Sequence, residues 1–151
     1  MRPSKEPFLC LVVDIADGAG GTAERRDRNV RILVIEDEIL VAWALRDLLA
    51  DLGYLEVHLA TNLATGGDLM NKIAPDFAIL DVNIGPVLVF PLAAELAARK
   101  IPFIFSTGAP RETLPPEWRD HPIVPKPLQR QALAQAISGL GLEDEFPNSA
   151  S

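Results

Sequence analysis

Four consecutive apolar residues, Phe77-Ala78-Ile79-Leu80, run straight into a carboxylate, Asp81, and this junction constrains the chain more than any other stretch. An unbroken apolar run offers no polar face to solvent, so it fits a strand covered on both sides, as in a parallel sheet with helices above and below. In open sheets of that kind the ligand crevice lies at the carboxyl ends of the strands, beside the point where strand order reverses. Asp81 is therefore placed for chemistry. Three further stretches read alike: Ile32–Ile35 ends in Glu36-Asp37-Glu38, Ile101–Phe105 in Ser106-Thr107-Gly108, and Pro122–Val124 in Pro125-Lys126-Pro127.

The segments between these runs carry helical periodicity. Glu38–Leu52 places Val41, Leu45, Leu48, Leu49 and Leu52 on one stripe, Glu38 is read as a solvated strand end or the cap of that helix, and Gly53 ends it. Tyr54–Ala60 alternates instead, with Leu55, Val57 and Leu59 against Tyr54, Glu56 and His58, which predicts an edge strand with one less buried face. Asn62 can cap a helix reaching about Ala74, although Gly66-Gly67 weakens its interior. A third helix is predicted over about Leu88–Arg99, with Pro91 tolerable only in its first turn. Ala109–His121 occupies the next helical slot, but Pro110, Pro115 and Pro116 leave room for a turn or so on either side. Gln129–Leu140 is the last helix, facing inward through Leu133, Ile137 and Leu140. Alternating strands and helices give one α/β doubly wound domain with a five-stranded parallel sheet.

Charge and cysteine usage exclude several classes of function. A net charge of −7 gives no general attraction to nucleic acid or an anionic membrane surface, so a protein or metal partner is expected. No apolar run approaches the ~20 residues of a membrane span, and no signal-peptide cleavage site follows Phe8–Val13. A single cysteine, Cys10, rules out an internal disulfide and fits a reducing compartment, so the protein is read as cytoplasmic. Residues 1–29, with Gly18-Ala19-Gly20-Gly21 and a charge cluster, read as a flexible leader, and residues 141–151 as a short acidic tail. The leader lacks the lysine and hydroxyl spacing of a nucleotide phosphate loop.

Three carboxylates (Glu36, Asp37, Asp81), one hydroxyl (Thr107) and one amine (Lys126) thus converge on one crevice. Carboxylate oxygens select hard cations such as Mg²⁺, which are commonly shared with phosphate oxygens. A carboxylate can also accept a phosphoryl group as a nucleophile, and a cation and hydroxyl then neutralise the transferred oxygens. His58 and His121 stand singly and are read as surface residues, and Trp43 and Trp118 as packing or partner contacts.

Across Val30–Leu140 the chain resembles a response-regulator receiver (CheY-like) domain. The matching residues are Glu36-Asp37, Asp81, Thr107 and Lys126-Pro127 at successive strand ends. Ile84-Gly85, Val89-Phe90-Pro91-Leu92, Ile101-Pro102-Phe103 and Phe105-Ser106-Thr107-Gly108 further resemble the single-domain FATGUY receivers of bacterial two-component pathways. The resemblance implies a flavodoxin-like sheet of order 2-1-3-4-5 and Asp81 as phosphoacceptor. It implies Mg²⁺ held by Asp37, Asp81 and the Asn83 carbonyl, with Glu36 acting through water. Thr107 and Lys126 would contact phosphoryl oxygens, and Lys126–Pro127 would be a cis peptide. The implied function is a stand-alone response regulator, not an enzyme beyond slow loss of its own phosphoryl group. Its partners would be a sensor histidine kinase or histidine phosphotransferase and a downstream protein. An alternative is an interaction module of the same fold that works without phosphorylation. A haloacid-dehalogenase-type phosphatase ranks low, because the second aspartate it needs two residues on is Asn83 here. Ile123 departs from the aromatic that receivers commonly carry three residues before the lysine.

Overall fold

Apolar side chains, many of them β-branched or aromatic and so suited to a pleated surface, run through five strands. They are β1 (Arg31–Ile35), β2 (Glu56–Ala60), β3 (Phe77–Asp81), β4 (Phe103–Thr107) and β5 (Ile123–Pro125). The computed structural model describes residues 30–141, so the leader and the tail from residue 142 lie outside the described residues, Cys10 with them. All four pairings are parallel, in the order β2-β1-β3-β4-β5, which is the expected sheet. Chain direction across the sheet reverses between β1 and β3, opening a crevice above their tips.

Four helices complete the layers: α1 (Ile39–Asp51), α2 (Leu63–Ile73), α3 (Phe90–Ala98) and α4 (Arg130–Ser138). Strand alternation sends Ile32, Val34, Ile79 and Ile104 to one face, where Leu45 and Leu49 of α1 and Leu133 and Ile137 of α4 cover them. It sends Leu33, Ile35, Leu80 and Phe105 to the other, against Leu69 and Met70 of α2 and Leu92 and Leu96 of α3. A small antiparallel ribbon, Asn83–Ile84 with Val87–Leu88, follows β3, so α3 begins at Phe90 and not at Leu88. Pro91 falls in the first turn of α3, as its missing N–H requires.

Proline controls the slot between β4 and β5. Two single 3₁₀ turns, Arg111–Thr113 and Pro116–Trp118, form there in place of a fourth long helix, as Pro110, Pro115 and Pro116 require. Trp118 is packing material, its ring stacked on Phe90 at 6.0 Å between centroids and edge-on to Phe105 at 5.9 Å. Trp43 is instead exposed on α1. Ile123 packs against the same cluster as these rings.

Several local expectations are corrected or refined. β2 is an edge strand, but its second face is covered by α2, and His58 is only 4% exposed, with Nε2 3.0 Å from Glu56 Oε2. His121 is half-buried and stacks on Phe103, centroids 4.8 Å apart. His58 is therefore not a surface residue, and His121 keeps only part of its ring open, because a neighbouring carboxylate or ring takes the place of water. Of the two readings of Glu38 the solvated one holds: it is exposed at the N-cap of α1 without capping it, and its own N–H donates to Glu36 Oε2 at 3.2 Å. Gly66 is there for close packing, since a Cβ would sit 2.4 Å from Ile35 Cδ1, whereas Gly67 faces open space. The Asn62 cap forms as expected, its Oδ1 accepting from the Thr65 N–H at 2.8 Å.

Candidate functional site

The acids arrive from two adjacent strand tips. β1 delivers Glu36, whose N–H continues the ladder to the Ala60 carbonyl at 2.9 Å, and then Asp37; β3 delivers Asp81. Oxygens from Glu36, Asp37 and Asp81 all lie within 4.8 Å of one another. Asp81 is 6% exposed, so it is a sunken carboxylate and not an exposed strand tip, while Glu36 is 2% exposed and Asp37 is open to solvent.

Lys126 comes from the far side of the crevice. Its N–H donates to the Thr107 carbonyl at 3.0 Å, carrying the β4–β5 pairing one step past the strands, and the following Lys126–Pro127 bond is cis, as the resemblance implied. The ammonium Nζ then lies 3.1 Å from Glu36 Oε1 and 3.2 Å from Asp81 Oδ2. Glu36, Asp37, Asp81 and Lys126 are thus brought together from three strands.

Asn83 and Thr107 stand at the rim. The Asn83 N–H donates to Asp81 Oδ1 at 3.3 Å, and its side chain is exposed. Thr107 is buried, and its Oγ1 accepts from the Ala109 N–H at 3.0 Å, so the hydroxyl bonds its own loop. One contributor was not assigned to the site from the sequence: the Gly85 N–H donates to Asp37 Oδ2 at 2.8 Å, clamping the ribbon to the β1 tip. Gly85 takes φ +63, a backbone state that glycine reaches without penalty, and the Gly85-Pro86 pair was the available signal for such a turn.

Electrostatics follow from the crowding. Burial, and next the charge of Asp81, push Glu36 up to about 7, outweighing the downward pull of Lys126. For Lys126, burial works downward, but the bonds and charges of Glu36 and Asp81 hold the ammonium above its ordinary range. Full ionisation leaves three carboxylates facing one ammonium, a net of two negative charges. An all-oxygen donor set with that excess suits Mg²⁺ better than a softer ion.

No protein-family model matches the chain, and no curated protein matches it. Solved structures do. The solution structure of SdrG from Sphingomonas melonis Fr1 is 37% identical, over 74% of this chain and 95% of that one, with a TM-score of 0.66. The BeF3-activated conformation of SdrG from Pseudomonas melonis Fr1 matches at TM-score 0.65 and 37% identity, over 73% and 94% of the two chains. A response regulator receiver domain (CheY-like) from Methylobacillus flagellatus, 19% identical over 74% and 98% of the chains, shares the fold at TM-score 0.66. The chain belongs to the response-regulator receiver family. As a receiver it places its acidic cluster at the switch point between β1 and β3, where the topology opens the crevice. Among the described residues no helix is long and apolar enough to cross a membrane.

Proposed function

We propose that this receiver is a stand-alone response regulator, of the single-domain FATGUY type, that is phosphorylated on Asp81 and signals by phosphorylation-dependent binding to a second protein. Its donor is a phosphohistidine on a sensor histidine kinase or histidine phosphotransferase. In this reading residues 30–140 are the switch, between the leader 1–29 and the tail 141–151, and it works in the cytoplasm. The observation that carries it is the joint contact of Lys126 Nζ with Glu36 Oε1 and Asp81 Oδ2, beside a cluster of three carboxylates.

In the transfer, an Asp81 carboxylate oxygen bonds to phosphorus as the P–N bond of the donor breaks and imidazole departs. Lys126 is already within bonding distance of Asp81, so its ammonium needs little rearrangement to meet a phosphoryl oxygen. Thr107 is one residue beyond Ser106, which pairs with Asp81 in register, and its hydroxyl can exchange its Ala109 contact for a phosphoryl oxygen. Mg²⁺ would be held by Asp37, Asp81 and the Asn83 main-chain carbonyl, with Glu36 acting through water, and would supply positive charge for the transferred oxygens. Loss of the group by hydrolysis returns the carboxylate, so the chemistry is that of a switch and not of a turnover enzyme.

The test is incubation with acetyl phosphate and Mg²⁺ followed by intact mass measurement. One added phosphoryl group, absent in Asp81→Asn, is expected. Binding a partner equally well without any adduct would favour the interaction module that works without phosphorylation.

A further inference from the structure

At the end of the sheet opposite Asp81, where β4 and β5 begin, a groove of about 380 Å³ is open. Ala97, Ile101, Phe103 and Leu140 supply apolar wall, and Lys100 and His121 supply its charge-bearing side chains. His121 is held by stacking on Phe103, yet its Nδ1 is buried with no hydrogen-bond partner. An apolar groove with Lys100 and His121 in its lining suits an occupant that carries both apolar and acidic side chains. Lys100, exposed just past α3 with φ 62, adds positive charge at the rim.

The described residues end beside this groove. After α4, the residues to Gly141 close in tight turns, the Gly141 N–H donating to the Ser138 carbonyl, and Gly141 takes φ +76, which redirects the backbone. Leu140, one residue earlier, already lines the groove. Beyond it stands Leu142-Glu143-Asp144-Glu145-Phe146, three carboxylates between two apolar side chains, with five more residues to Ser151. Five residues reach roughly 16 Å when extended, enough to fold back over a groove that starts at Leu140. The groove is apolar with two basic groups; the segment is apolar with three acidic ones.

We propose that residues 142–146 of the chain's own tail are the occupant of this groove, with Phe146 against Ile101 and Phe103 and the carboxylates of Glu143–Glu145 paired with Lys100 and His121. The docking is independent of phosphorylation at Asp81, which lies at the other end of the strands.

Paramagnetic relaxation in the full chain tests this. With Cys10→Ser and a nitroxide on Ser149→Cys, the amide signals of Lys100, Phe103 and His121 are expected to be at least halved. Either Phe146→Asp or Lys100→Glu, both at exposed or tail positions, should restore most of that loss. Undiminished signals, or a loss that persists in either variant, would overturn the proposal. So would the same loss in a mixture of isotope-labelled chains without nitroxide and unlabelled chains carrying it, because that assigns the groove to the tail of a second copy.

Discussion

Lys126 Nζ lies 3.2 Å from Asp81 Oδ2, although 45 positions separate the two residues in the chain. The contact joins the tips of β3 and β5 across β4, which stands between them in the sheet. It means that the cation facing the proposed nucleophile is in place before any phosphoryl group arrives.

Asp81→Asn is expected to take up no phosphoryl group from acetyl phosphate. The fold should survive within about 1 kcal/mol, because asparagine keeps the shape while one of three crowded charges is removed. Intact mass and thermal unfolding together check this, and continued incorporation at the wild-type rate would place the acceptor elsewhere.

Lys126→Met removes the one ammonium that faces two buried carboxylates. A loss of about 1–3 kcal/mol is expected at pH 8, where Glu36 is ionised, and a smaller one at pH 5, where it holds a proton. Urea titration of both proteins at the two pH values measures the difference.

Glu36 gives the metal-free protein a pH dependence of definite sign. Its folded value of about 7 is above the ordinary 4.5 of a glutamate, so between those values the folded state binds more protons than the unfolded one. Stability therefore falls as pH rises through that window, by on the order of 3 kcal/mol at most. Glu36→Gln should flatten the slope. Unfolding in chelator from pH 4.5 to 8 reads it directly, and a slope unchanged by the substitution would remove Glu36 as its source.

The two glycines of α2 should respond oppositely to alanine. Gly67→Ala puts a methyl group into open space and should stabilise by up to about 1 kcal/mol. Gly66→Ala should give no such gain, because its Cβ meets Ile35 Cδ1 at 2.4 Å and Leu92 Cδ2 at 3.2 Å. Comparing the two melting temperatures is enough.

The segment Ala109–His121 is hypothesised to respond when Asp81 is occupied, since Thr107 Oγ1 would release the Ala109 N–H that it now accepts from. Hydrogen exchange from Gly108 to His121 should change on adding beryllofluoride, and Trp118 emission with it. Protection that changes only elsewhere would discard this route.

The sequence by itself determined the layered α/β plan, because apolar runs ending in acids and separated by amphipathic segments admit few other folds. It also settled that no long helix fills the slot before β5, since proline removes the N–H a helix needs. That Glu36, Asp37, Asp81 and Lys126 come together in one candidate site was legible once their strand tips were ordered. Distance and burial were not. Only the tertiary structure decided that Asp81 is sunken, that Glu36 meets Lys126 directly, and that Gly85 tethers Asp37, because each depends on which neighbour covers a group. The histidines make the same point: a one-dimensional pattern marks His58 and His121 as polar, while their burial depends on Glu56 beside one and Phe103 stacked on the other.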